Sequence, residues 1–305
     1  MKKLFIAFCI AFNLNAQEVP KVVAGTIQRL PDFKSEYVTS RNIDIWLPKD
    51  YSTAKKYSVL YMHDGQMLFD ATTTWNKQAW EVDDVMTQLF QSGAIQDCIV
   101  VGVWNGGATR HADYFPQKPF EQLTQKQKDS LYQVNRPNGN SVFQQYEVHS
   151  DNYLKFLVRE VKPYIDSHFS VYTDAAHTFV AGSSMGGLIS MYAICEYPKV
   201  FGGAACLSTH WPGVFSVENN PIPAQFIRYL KKHLPQANSH KIYFDFGTAT
   251  LDALYEPFQK QADAVMIAKG WDSAHWITRK FEGEDHSEQA WHKRLAIPLT
   301  FLLGN

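Results

Sequence analysis

Thr178-Phe179-Val180-Ala181-Gly182-Ser183-Ser184-Met185-Gly186-Gly187-Leu188-Ile189-Ser190-Met191 decides how this chain is read. A short apolar strand runs into a glycine-flanked serine, and a helix of small residues follows. Gly182-x-Ser184-x-Gly186 has the spacing of a nucleophile elbow. A serine that attacks a carbonyl must project from a sharp strand-to-helix turn. Glycines two residues either side let the backbone pass without a Cβ clash. The helix behind it turns N-terminal N–H groups toward any oxyanion formed there.

At 305 residues, the chain has room for one α/β domain with a large core. Its 29 basic and 30 acidic residues leave no excess charge for phosphates, which excludes nucleic acid as a partner. Eight Trp and fifteen Tyr suit either a large core or a ring-stacking ligand surface. Residues 1–16 read as a secretory signal peptide: Lys2-Lys3, an apolar Leu4–Phe12, then Leu14-Asn15-Ala16. The apolar run is too short to span a bilayer, so a soluble, exported mature chain is expected.

Cys9 falls in that leader. Cys98, Cys195 and Cys206 lie in apolar runs and read as buried thiols, with a Cys195–Cys206 bridge as the alternative. No CxxC pair or HExxH helix is present, so neither a metal nor another cofactor is expected.

Outward from the elbow, strands and helices alternate. Extended segments over 22–48, with a hairpin inside 38–47, precede a strand at 57–62, a helix at 80–90 and a strand at 99–104. A polar stretch at 105–145 is too long for a simple connection and reads as an insertion beside the site. A long helix at 146–168, bent at Pro163, leads to the elbow strand at 177–182 and the helix 185–197. Beyond it come a strand at 202–208, a helix at 223–233, a strand at 241–246 and a helix at about 253–269. A strand at 275–281 and a helix at 287–303 close the chain. This pattern predicts one α/β domain over 17–305: a mostly parallel sheet with helices on both faces, antiparallel N-terminal edge strands and no large cap.

Free serine is a weak nucleophile and needs a base, which needs an orienting acid. In this fold class the order is Ser, acid, His, each on a loop at a strand's carboxyl end. His286, in Phe281-Glu282-Gly283-Glu284-Asp285-His286, follows the last strand; a helix cap is its alternative role. Asp252, past the 241–246 strand, is the candidate acid and competes with a role as N-cap. Glu256 and Asp245 are the alternatives. The backbone N–H groups of Met185 and Gln66, the latter in the turn His63-Asp64-Gly65-Gln66, are the candidate oxyanion donors. Trp104 and Arg110 after one strand, and His210 and Trp211 after another, are candidate substrate contacts, with packing as the competing role.

The turn His63-Asp64-Gly65-Gln66, the elbow Gly182-Ser183-Ser184-Met185-Gly186-Gly187, Phe246-Gly247-Thr248 and Glu282-Gly283-x-x-His286-x-x-x-x-Trp291 together resemble the esterase D-like family of α/β-hydrolases. That family includes feruloyl and acetyl-xylan esterases, siderophore esterases and mycolyltransferases. The resemblance spans nearly all of 35–303 and implies the α/β-hydrolase fold without a large cap. Family members often place the acid close behind the Gly-Thr pair, where this chain has Ala249 and Thr250 before Asp252. An exported serine carboxylester hydrolase is the leading expectation, acting on feruloyl or acetyl esters of plant polysaccharides. Siderophore esters, acyl transfer through the same triad and a non-enzymatic carbohydrate-binding role are the alternatives.

Overall fold

A computed structural model describes residues 18–304; the expected signal segment over 1–16 lies outside them. Eight strands form one sheet: β1 (Thr26–Phe33), β2 (Arg41–Leu47), β3 (Ser58–His63), β4 (Cys98–Val103), β5 (Thr178–Ser183), β6 (Gly203–Leu207), β7 (Lys241–Gly247) and β8 (Trp276–Phe281). Their order across the sheet is β1-β2-β4-β3-β5-β6-β7-β8. The pairs β1·β2 and β2·β4 are antiparallel, and every pair from β4 to β8 is parallel. Order reverses around β3 and β4, so the carboxyl ends of the central strands open on one edge, where ligands bind in open α/β sheets.

Both faces of the sheet are covered. Along β3, Val59 and Tyr61 enter one apolar cluster, while Leu60 and Met62 enter the other on the opposite face. That alternation follows from the two-residue period of a strand. It explains why the central strands read as continuous apolar runs.

Three segments differ from the sequence expectation. The hairpin inside 38–47 is absent: 41–47 is a single strand, antiparallel to β1 on one side and to β4 on the other. Arg41, in the middle of the expected hairpin, is buried and pairs with Asp113 at 3.2 Å. The helix expected from 146 begins at Ser150 and contains a π-helical stretch, Leu157–Val161. There Lys162 N donates to Leu157 O, and Pro163, which has no N–H to give, follows directly. The last helix is divided into Glu288–Arg294 and Ala296–Leu303.

The 105–145 insertion is more structured than its polar composition suggests. Short helices at Arg110–Tyr114, Gln117–Glu121 and Gln125–Tyr132 bury Tyr114, Phe115, Phe120, Leu131 and Phe143 in the larger apolar cluster. Cys98, Cys195 and Cys206 are free, buried thiols, so the alternative Cys195–Cys206 bridge does not form. Among the described residues, no helix is long and apolar enough to cross a membrane.

Candidate active site

Ser184 sits between β5 and the helix Met185–Glu196 with φ 58° and ψ −121°. That region is sparsely populated for an L-residue, and holding it costs roughly 1–3 kcal/mol, supplied by surrounding contacts. Ser184 N donates to Leu207 O at 3.0 Å, and Ser184 O accepts from His210 N at 3.2 Å and from Leu188 N at 3.1 Å. A Cβ on Gly182 would lie 2.9 Å from the Gly186 carbonyl, so this crossing of the backbone requires glycine.

His286 and Asp252 come together from the loops after β8 and β7. His286 Nδ1 and Asp252 Oδ1 are 2.5 Å apart, and Asp252 is fully buried. The two loops are tied by their backbones. Thr248 N and Ala249 N both donate to Glu284 O at 3.1 Å, Gly283 N donates to Thr248 Oγ1 at 2.8 Å, and His286 N donates to Thr250 Oγ1 at 3.0 Å. The Thr248-Ala249-Thr250 spacer is therefore the seam that joins the loop of the candidate acid to that of the candidate base, and it places the carboxylate at Asp252. The other two carboxylates lie elsewhere. Asp245 points within β7 to Arg294, and Glu256 pairs with Lys260 and Lys280.

Four residues around Asp252 were not legible in the sequence as a unit. Asp252 Oδ2 accepts from Gly247 N at 2.6 Å and from Ser208 Oγ at 2.5 Å. Ser208 Oγ in turn accepts from Trp291 Nε1 at 2.9 Å and from Arg294 Nη2 at 2.8 Å. Indole and guanidinium N–H groups can only donate, so the single Ser208 proton must go to Asp252. Arg294 is held by Asp245 through Nε at 3.1 Å and Nη2 at 3.0 Å. Trp291 also packs edge-on against the His286 ring, with centroids 5.0 Å apart. The Trp at the end of the His286 motif was the only sequence signal; Arg294, three residues further, shares its helical face.

The candidate oxyanion donors fall at the expected edge. Met185 N–H opens a 12-residue helix, where first-turn donors have no intrahelical acceptor. Gln66 lies in the 3₁₀ turn Gly65–Met67 after β3. That turn abuts the nucleophile helix: a Cβ on Gly186 would meet His63 Cβ at 3.4 Å and Asp64 Oδ2 at 3.5 Å.

The four candidate substrate contacts separate. Arg110 forms a two-pronged ion pair with Asp64, Nε–Oδ1 2.6 Å and Nη2–Oδ2 2.7 Å. Burial opposes the Asp64 charge, but Arg110 and Asn105 outweigh it and hold the carboxyl below its ordinary range. Trp104 Nε1 donates to Asp44 Oδ2 at 2.8 Å, with the Arg29 guanidinium 4.7 Å over its ring. Trp211 is fully buried, giving its indole N–H to Gln259 Oε1 at 2.9 Å, and so belongs to the core rather than the rim. His210 remains beside the nucleophile. Its Nδ1 meets Tyr255 Oη at 2.7 Å, and its backbone N–H donates to Ser184 O at 3.2 Å. Burial holds the His210 ring neutral, well below the usual histidine range. No cluster of three or more metal-ligating side chains occurs among the described residues.

A family model described as Putative esterase matches residues 35–299. Among curated relatives, the uncharacterized protein YbbA of Bacillus subtilis (strain 168) is 23% identical over 174 residues, 56% of this chain and 58% of YbbA. Carboxylesterase SOBER1 of Arabidopsis thaliana is 29% identical over 139 residues, 45% of this chain and 57% of SOBER1. The chain thus spans little more than half the length of these relatives. Among solved structures, a ferulic acid esterase superposes with TM-score 0.63 at 20% identity, covering 92% of this chain and 98% of that one. The enterobactin esterase FES from Shigella flexneri gives TM-score 0.64 at 17% identity, covering 95% of this chain and 61% of that one. At these identities the two structures establish a shared α/β fold.

Proposed function

Because the chain belongs to the Putative esterase family, we propose that it is a serine carboxylester hydrolase working through an acyl-enzyme. Ser184 Oγ attacks the ester carbonyl while His286 takes its proton. Nδ1 of His286 is engaged by Asp252, which leaves Nε2 as the nitrogen that exchanges protons. The tetrahedral oxyanion is held by the Met185 and Gln66 N–H groups. Collapse breaks the acyl–oxygen bond, and the departing alkoxide receives the proton from His286. Water, deprotonated by the same ring, then releases the acid and restores Ser184.

The observation that carries this reading is the His286–Asp252 pair on the loops after β8 and β7, with the strained elbow at Ser184. Within the class, we favour feruloyl or acetyl esters of plant polysaccharides, with a siderophore ester second. The fold shared with a ferulic acid esterase and an enterobactin esterase supports both. The leader pattern over 1–16 supports export, and the 105–145 segment is taken as an insertion within one hydrolase domain. Hydrolysis of 4-nitrophenyl acetate by the wild type, reduced to background in Ser184→Ala, is the expected result. Equal rates for the two proteins would overturn the assignment.

A further inference from the structure

The insertion brings a second arginine toward the site, and unlike Arg110 it has no counter-charge. Arg136 is fixed by a closed turn: its N–H donates to Asn140 O at 2.7 Å and its carbonyl accepts from Gly139 N at 2.9 Å. The half-buried guanidinium stacks 5.6 Å over the Phe215 ring. Nη2 makes one long hydrogen bond, 3.4 Å to Val142 O, and the buried Nε makes none. Among the described residues no carboxylate pairs with Arg136, while burial and the charge of Arg110 both work against its protonated form. Burying a charge without a partner is costly unless something else supplies the missing acceptor.

A second unpartnered donor adjoins it. The other neighbour of Phe215 is His210, with ring centroids 5.7 Å apart. His210 is 1% exposed, and its Nε2 has no partner. Because this ring is neutral and Tyr255 Oη engages Nδ1, a Tyr255 proton donated to Nδ1 leaves the imidazole proton on Nε2. The same residue gives its backbone N–H to Ser184 O. Two buried nitrogens without partners, Arg136 Nε and His210 Nε2, therefore flank one aromatic ring beside Ser184, and with the Tyr255 proton on Nδ1 both are donors.

We propose that Arg136 and His210, across Phe215, form an anion-recognition subsite, and that the preferred esters carry a carboxylate on the portion lying there. This rests on the esterase reading and narrows it to acidic esters. Guanidinium donors suit a carboxylate in geometry as well as charge.

The test compares mono-4-nitrophenyl glutarate with its neutral methyl ester as substrates. The wild type is expected to favour the acid by about tenfold or more in kcat/KM, a preference that shrinks at high salt. Arg136→Gln brings the ratio close to one, and Arg136→Lys retains part of it. A wild type that favours the neutral ester overturns the inference even if no variant folds. So does an unchanged ratio in a folded Arg136→Gln. Hydrolysis of neither ester overturns the esterase reading itself, and this inference with it.

Discussion

Ser208 donates its only hydroxyl proton to Asp252 Oδ2, because Trp291 and Arg294 fill its acceptor positions. The carboxylate that pairs with His286 is thus held from behind by a serine on the loop after β6, itself held by the last helical segments. Asp252 cannot rotate away from His286 without breaking the bonds from Ser208 and Gly247. The alignment of the proposed base is a property of four chain segments, not of one loop.

Ser208→Ala removes that hydroxyl and leaves Trp291 Nε1 and one Arg294 donor position without an acceptor in a buried site. A stability loss of about 1–3 kcal/mol is expected for each group left unpaired, before relaxation. Urea denaturation measures it. In kinetics, kcat should fall with KM little changed, since the hydroxyl acts through Asp252 rather than on substrate. A variant with wild-type stability and kcat would show that Ser208 is a bystander.

Asp252→Asn replaces an acceptor with an amide that can present a donor to His286 Nδ1, favouring the wrong imidazole tautomer. A kcat decrease of roughly 10³–10⁴-fold on 4-nitrophenyl acetate is expected, by analogy with orienting carboxylates in other serine hydrolases. Glu256→Gln, whose carboxylate pairs with Lys260 and Lys280 rather than His286, should stay within about twofold. If Glu256→Gln proved the more damaging, the acid would have been misassigned.

How much of this was legible beforehand follows from how local each feature is. The elbow lies within five consecutive residues, and its glycines report the Gly182–Gly186 crossing directly. His286 and Asp252 were chosen by topology, since each follows a strand whose carboxyl end reaches the same sheet edge, and the structure brings the two side chains together. Ser208 and Arg294 were hidden because nothing in a single serine or arginine announces contacts across 86 and 49 residues of chain. Arg41 and Trp211 misled for the opposite reason. Each looks polar or rim-like by residue type, yet Asp113 and Gln259 give them partners inside the protein. The insertion misled through average composition, which conceals the spacing of Tyr114, Phe115, Phe120 and Phe143.

Three buried histidines should set the acid limit of stability. Burial lowers His63 to about 4, lowers His111 to about 3, and holds His210 well below its ordinary value. Their folded values are depressed, so their stability contribution is present above the unfolded value of about 6.5 and is lost as pH falls. Each adds a slope approaching 1.4 kcal/mol per pH unit between about 6.5 and 4. His149 opposes them. Its hydrogen bond to Asp113 raises its value, so its contribution is complete below about 6.5 and fades as pH rises through the folded value. Denaturation midpoints should decline from about pH 6.5 to 4.5, and more gently in His111→Gln, whose amide keeps a donor for Gly213 O. A flat wild-type profile over that range would contradict this.

The most direct test of the central claim is to identify the residue that forms the covalent intermediate. After reaction with a fluorophosphonate, intact mass and peptide mapping should show one adduct, on Ser184, and none on the Ser184→Ala protein. Blocking should be strongly slowed in Asp252→Asn, where His286 loses its orienting partner. An adduct on Ser183, Ser208 or any other residue, or undiminished labelling of Ser184→Ala, would contradict the account.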